Sequence, residues 1–196
     1  MNGGDPRRTR DGGVIPGAGV LGMWIFLATL TVLFLAGIVG YLVVRLKATA
    51  WPPPGMPRLP AGLWIATPIL LAGSATIHRA LRLIRAGERA ASARWVGATL
   101  ALAFSFLAVQ SWNWWGLIRV RLTAGSNLYA FTFFMLTGLH AAHVIGGIVL
   151  LTVVFIRSHR GLYGSGHHPG VTYSAMYWHF LDAIWLVLFA VMVVFA

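Results

Sequence analysis

The feature that most restricts what this chain can fold into is a run of 29 residues without a formal charge, residues 128–156. A helix needs roughly 20 apolar residues to cross about 30 Å of hydrocarbon, so this run can span a bilayer with some tilt. Two histidines, His140 and His143, lie inside it. Polar side chains at that depth are costly unless they face a partner, so the contacts of these two histidines are the central question.

Composition extends the membrane interpretation to the whole chain. Of its 196 residues, 58% are hydrophobic and 10% are charged, against roughly 25% charged residues in a typical soluble domain. Long apolar runs favour helices, because barrel strands alternate apolar and polar residues instead. We expect an all-α integral membrane bundle of five transmembrane helices, at about residues 20–44, 60–80, 94–116, 128–156 and 172–195.

The domain organisation follows from the same pattern. Residues 1–13 are polar and rich in glycine, and we expect them to form a disordered cytoplasmic tail. The remaining residues, 14–196, are expected to form a single five-helix transmembrane domain.

The basic residues predict the orientation of the bundle. A net charge of +11 could indicate a nucleic-acid partner in a soluble protein, but membrane topology explains it better here, and no nucleic acid is expected. With five spans, the side that holds the N-terminus has ten arginines and the other side has five basic residues. The positive-inside rule then predicts a cytoplasmic N-terminus and an external C-terminus. Three of the ten, Arg79, Arg82 and Arg85, are candidate contacts for anionic lipid headgroups.

Two pairs of polar side chains could carry chemistry. His140 and His143 are three residues apart, as are His179 and Asp182, so each pair shares a helix face. At a rise of roughly 1.5 Å per residue, Asp182 and His143 lie at about the same depth. Antiparallel packing of the fourth and fifth helices would bring an imidazole to the carboxylate and stabilise both groups.

Three interpretations of these four residues stay open on spacing alone. They could be ligands of a metal or haem, since imidazole and carboxylate are suitable ligands and the spacing is that of helix-bundle metal centres. They could form a proton relay, as an intramembrane acid with histidines does in pumps and transporters. They could also form a structural hydrogen-bond network between two helices. Because the chain has no cysteine, it cannot build a thiolate metal site or an iron–sulfur cluster alone.

Two segments of the chain carry a family resemblance: residues 132–147 read TFFMLTGLHAAHVIGG, and residues 177–189 read YWHFLDAIWLVLF. They resemble the last two helices of subunit III of haem-copper respiratory oxidases. The resemblance extends to LGMWIF at residues 21–26, and more loosely to the second and third helices. The length and the five spans resemble the short bacterial form, which lacks the first two of seven helices.

The resemblance implies a subunit with no catalytic, cofactor-binding or metal-binding residues of its own. Haem and copper are expected in the partner catalytic subunit I, which reduces oxygen and pumps protons. Subunit III would pack against subunit I and other oxidase subunits in a bacterial cytoplasmic (plasma) membrane, as a multi-pass protein. It would also bind phospholipids and support proton uptake and stability. The resemblance also implies that four residues have a structural role and form one polar cluster: His140, His143, His179 and Asp182.

The sequence departs from the family at two positions that bear on function. Members often carry glutamate where this chain has Leu30 and Asn113. We expect cytochrome c to be the electron donor, and a related subunit of a quinol oxidase or nitric oxide reductase is the alternative. An independent small membrane transporter or metal-binding protein is the alternative from a different class.

Overall fold

The computed structural model describes residues 18–54, 56 and 59–195. One isolated β-bridge, between Gly164 and His167, lies before the last helix. The predicted all-α class with five helices is confirmed, whereas the expected tail at residues 1–13 lies outside the described residues. The five helices of the described residues are α1 (Ala18–Lys47), α2 (Gly62–Arg85), α3 (Arg89–Arg119), α4 (Leu128–His159) and α5 (Pro169–Val194).

The helices have the length and surface of a multi-pass membrane protein. Among the described residues, four helices are long and apolar enough to cross a membrane: α1, α3, α4 and α5. Helix α2 has 24 residues, or about 36 Å at the rise of an α-helix, but its arginines make it less apolar. Large apolar side chains lie exposed on the outside, including Trp24 at 61% and Leu46 at 75%. Such a surface is suited to lipid or to a partner chain, and not to water.

Four helices form a ring and the fifth lies outside it. Helix α2 packs along α3, α3 along α4, α4 along α5, and α5 back against α2. Helix α1 packs on the outer side of α4 and α5. It runs parallel to α5, because Gly19 meets Tyr173 at their starts and Arg45 Nε donates to the carbonyl oxygen of Phe195 at 2.7 Å at their ends.

This packing gives the bundle two different ends. The ends of α2 and α4 meet the start of α3 at one of them, which we call the arginine-rich end. The opposite end carries Arg45, Lys47, Arg119 and Arg121. The arginine-rich end is defined by Arg79, Arg82, Arg85, Arg89, Arg94, Arg157 and Arg160.

Local chemistry explains where several helices begin and end. The side chain of Asn127 caps α4 by accepting a hydrogen bond from the backbone N–H of Ala130 at 2.8 Å. Pro169 is the first residue of α5, a position at which a backbone N–H has no acceptor within the helix, so the N–H that proline lacks is not missed. Gly87 turns the chain between α2 and α3 with a φ of 85°, a conformation that glycine adopts without strain. The short turn at Gly87 makes α2 and α3 antiparallel neighbours.

Small residues let the helices approach each other closely. A Cβ atom on Gly73 of α2 would lie 2.7 Å from Nε1 of Trp178 in α5, and Trp178 is fully buried. A Cβ atom on Gly147 of α4 would lie 3.2 Å from the ring of Tyr177. Close approach at small residues is the usual way in which membrane helices gain packing energy.

We therefore expect Gly73→Ala to destabilise the protein by about 1–3 kcal/mol, because the added methyl group displaces a buried tryptophan. The measurement is the denaturation midpoint of the purified protein in detergent. Gly40→Ala is the matched control, since a Cβ atom on Gly40 meets nothing within 4 Å, and it should be neutral or slightly stabilising. Equal effects of the two substitutions would contradict the packing explanation.

Candidate functional site

His140 is buried between α1, α3 and α5 and is surrounded by aromatic rings. Its ring centroid lies 4.9 Å from that of Trp185, 5.7 Å from that of Phe106 and 6.3 Å from that of Phe34. Neither ring nitrogen has a hydrogen-bond partner among the residues that the structure describes. His140 is therefore packed as an aromatic ring, and its polar atoms pay a desolvation cost of about 1–3 kcal/mol each without a compensating bond.

His143 is half-buried and uses its ring within its own helix. Its Nδ1 lies 2.7 Å from the carbonyl oxygen of Leu139, to which an N–H at that position donates. The backbone carbonyl of His143 accepts a hydrogen bond from the Tyr177 hydroxyl at 2.9 Å. The polar contact between α4 and α5 at this level is therefore made by the backbone of His143 and not by its imidazole.

His179 faces the outer side of the bundle and bonds to α2. Its Nδ1 lies 2.6 Å from Oγ of Ser74, and its ring centroid lies 5.9 Å from that of His78. The serine is on α2 and the histidine is on α5. This hydrogen bond therefore ties two neighbours of the four-helix ring together.

Asp182 lies one turn further along α5 and is buried, with 5% of its surface exposed. Neither carboxyl oxygen has a hydrogen-bond partner in the part of the chain that is described. The hydroxyl of Ser74 is the polar neighbour of this carboxyl, but its hydrogen bond goes to His179. Asp182 thus belongs to a small polar group at the contact of α5 with α2.

The four predicted residues therefore lie in two groups. Within residues 18–54, 56 and 59–195, no hydrogen bond joins an imidazole of α4 to Asp182. The spacing of three residues correctly places two side chains on one face, but it does not say which neighbour that face meets. On α5 this face meets α2, whereas His140 and His143 both contact Phe34 of α1.

The arrangement of these side chains provides few ligands for a metal ion. In the described ranges, no group of three or more His, Cys, Asp or Glu side chains is placed to hold a metal ion. His78 and His179 form a pair of imidazoles, and structural metal sites usually supply four protein ligands.

Helix α3 buries two amide side chains, Gln110 and Asn113, that the spacing of histidines and acids did not indicate. Gln110 is 1% exposed, and both of its amide atoms lack a partner among the described residues. Asn113 is also buried, with its Oδ1 against the backbone of Gly62. Leu30 of α1 is a buried core residue. A lone glutamine within the third apolar stretch was the signal that could have drawn attention to this layer.

The three arginines predicted to contact lipid lie exposed along the last turns of α2. The guanidinium carbon of Arg79 lies 4.8 Å from the centroid of the Trp95 ring, a cation–π arrangement. Arg82 and Arg85 extend beyond it toward the arginine-rich end. Their exposure is compatible with contacts to lipid headgroups.

A cavity of about 630 Å³ at the arginine-rich end was not predicted from the sequence. Arg89 and Arg94 of α3 line one side of it, and Ser158 and His159 of α4 line the other. Two guanidinium groups at a concave surface suit an anionic headgroup. These residues are far apart in sequence, and only the antiparallel packing of α3 and α4 makes them neighbours.

Because neither ring nitrogen of His140 has a hydrogen-bond partner among the described residues, His140→Leu should be neutral or stabilise the protein by about 1–3 kcal/mol. Thr137→Val, one turn away in the same helix, is the control. The Thr137 hydroxyl accepts from Trp114 Nε1 at 3.1 Å, so its loss should cost about 1–3 kcal/mol. Both are measured as the denaturation midpoint in detergent, and a large loss in His140→Leu would show that the imidazole has a partner.

Comparison with known proteins tests the family resemblance. The family model for cytochrome c oxidase subunit III matches residues 14–196. Cytochrome c oxidase subunit 3 of Synechocystis is 36% identical over 176 residues, which cover 89% of this chain and 74% of the relative. The subunit 3 of Thermostichus vulcanus is 33% identical over 178 residues, covering 88% of this chain and 85% of the relative.

Longer relatives match over a smaller share of their length. Cytochrome c oxidase subunit 3 of Strongylocentrotus purpuratus is 35% identical over 142 residues, which cover 71% of this chain and 54% of the relative. The sequence resemblance to subunit III of haem-copper oxidases is thereby confirmed, with a family match that includes all five helices. The chain belongs to the cytochrome c oxidase subunit III family.

Proposed function

We propose that this chain is the non-redox subunit III of a terminal haem-copper oxidase that receives electrons from cytochrome c. The observation that carries the proposal is the family match over residues 14–196. Haem and copper would lie in a partner catalytic subunit I, and this chain would support proton uptake and stability of the complex. The broad apolar surface of the described helices is available for packing against such partners.

We place the chain in a bacterial cytoplasmic membrane with the arginine-rich end on the cytoplasmic side. The support is the positive-inside rule, because seven arginines of the described residues lie at that end and four basic residues lie at the other. Helix α2 would then cross the membrane with the others, since it packs against both α3 and α5.

The interhelical hydrogen bonds at His143 and His179 would have a structural role. The bond between Ser74 and His179 ties α2 to α5, as does the bond that Trp185 Nε1 donates to Thr67 at 3.0 Å. Tyr177 ties α5 to α4 through the backbone of His143. In a bilayer, where helices gain little from hydrophobic burial, such bonds help to hold neighbouring helices together. Asp182 and His140 would be tolerated within this framework.

Phospholipids would bind at the ends of the bundle. The cavity lined by Arg89 and Arg94 offers two positive charges to a phosphate at the arginine-rich end. At the opposite end, Lys47 and Trp51 line a second cavity of about 370 Å³. An amphipathic tryptophan beside a lysine is typical of the membrane interface.

Affinity purification of this chain from its native membrane in mild detergent tests the assignment. We expect a haem-containing partner to co-purify, and the complex to oxidise reduced cytochrome c. The chain produced alone should show no haem absorbance. Stoichiometric haem or metal bound by the isolated chain through its histidines would contradict the proposal, and oxidation of quinol instead of cytochrome c would change the donor.

Removing the charges from the cavity should reduce bound anionic phospholipid. In the double variant Arg89→Gln and Arg94→Gln, we expect at least one anionic lipid per complex to be lost, as measured by mass spectrometry of lipids extracted from the purified complex. Arg119→Gln with Arg121→Gln, at the opposite end, removes the same charge and is the control. Equal losses from both double variants would argue against a specific site.

A further inference from the structure

Two imidazoles lie on the outer side of the bundle where α2 meets α5. His78 of α2 and His179 of α5 are both exposed, and their ring centroids lie 5.9 Å apart. Ser74 of α2 is half-buried beside them, and its Oγ lies 2.6 Å from Nδ1 of His179. We call the line along this contact, defined by Ser74, His78 and His179, the imidazole seam.

The seam leaves three ring nitrogens without a hydrogen bond. Among the described residues, neither nitrogen of His78 nor Nε2 of His179 has a hydrogen-bond partner. Each nitrogen of an imidazole is either a donor or an acceptor. In hydrocarbon, such atoms need partners that this chain does not supply.

The depth of His179 places it in the hydrocarbon. Helix α5 has 26 residues, or about 39 Å, so when centred it extends about 4–5 Å beyond each side of a core about 30 Å thick. His179 follows Pro169, the first residue of the helix, by about 15 Å. It therefore lies about 10 Å inside the core, below the level of lipid headgroups.

Two other exposed polar side chains of the spans are satisfied within their own helices. Thr29 of α1 donates to the carbonyl oxygen of Phe26 at 2.7 Å, and Ser105 of α3 donates to that of Ala101 at 3.0 Å. On the α1 side of His179, an apolar groove of about 550 Å³ has a lining without formal charge. The imidazole seam differs from these surfaces, because its polar atoms are left for a neighbour.

The surroundings of the seam suit a helix and not a lipid chain. Ala75 of α2 and Ala183 of α5, each within one turn of a seam residue, are exposed, and small residues let a second helix approach closely. Arg82 follows His78 by one turn on the same helix face and is also exposed. A complementary helix would carry hydrogen-bonding side chains opposite the imidazoles and a carboxylate near the guanidinium.

We propose that a transmembrane helix of the haem-bearing partner subunit packs along the imidazole seam, with hydrogen-bonding side chains opposite His78 and His179 and a carboxylate near Arg82. The identity of the partner rests on the proposed function, and the seam adds the face of this chain on which the partner lies. An acyl chain would leave the ring nitrogens unpaired, because it offers neither donor nor acceptor.

Site-specific photocrosslinking in native membranes tests which chain covers the seam. Ala75 and Ala183 are replaced, one at a time, by the photoreactive amino acid p-benzoylphenylalanine, and the membranes are irradiated before the complex is purified. We expect each position to give a product that joins this chain to the haem-bearing subunit, identified by mass spectrometry. The same replacement of Ala142, an exposed alanine of α4, is the control and should give little of that product.

Crosslinks from both seam positions to lipid alone, or to a chain without haem, would overturn the proposal. A haem-subunit product from Ala142 alone would do the same. If no haem-bearing subunit co-purifies with the wild-type chain, the proposed function itself fails. If that subunit co-purifies but does not crosslink to the seam, only the assigned face is wrong.

Loss of an imidazole tests the hydrogen bonds separately. His78→Leu should weaken the association with the haem-bearing subunit about threefold, the usual size of an interhelical hydrogen bond in a bilayer, measured as the Kd in detergent. Because His78 makes no hydrogen bond to the described residues, the variant keeps the bonds of the fold. Thr29→Val on α1 is the control and should leave the Kd unchanged. A wild-type Kd in His78→Leu, or an equal loss in Thr29→Val, would contradict the proposal.

Discussion

The bilayer interior offers no water to a polar group, and this constraint governs how the helices of this chain hold together. Backbone groups there are satisfied within helices, so the helices must associate through close packing and a few side-chain bonds. The structure uses both. Gly73 admits Trp178 between α2 and α5, while the Ser92 hydroxyl donates to the carbonyl oxygen of Ala80 at 2.9 Å and joins α3 to α2. The same constraint makes it costly to bury a polar atom without a partner, as His140 and Gln110 do among the described residues.

Helix α5 connects the structural and the functional features. It contacts α1, α2 and α4, and it buries Trp178 and Trp185 in the core. Its outer face presents His179 to the groove beside α1, while Ser74 holds the ring from α2. A substitution in α5 would therefore alter contacts with three neighbouring helices and the lining of the groove.

Charge divides the molecule in a different way. The cavities that suit phosphates lie at the ends of the bundle, beside Arg89 and Arg94 at one end and Lys47 at the other. The groove at His179 lies between them and has an uncharged lining. The cost of burying a charge rises toward the membrane centre, which agrees with the position of the charged cavity linings at the ends of the bundle.

The sequence by itself determined the helical class, the number of helices and the family, because long apolar runs and contiguous motifs are local properties. It also placed each pair, such as His179 with Asp182, on one helix face. Only the tertiary structure decided that this face of α5 meets Ser74 of α2, and that Arg89 meets His159 across a cavity. The rotation of each helix and the identity of its neighbours depend on packing among all five helices. The residue pattern of one helix alone does not determine either.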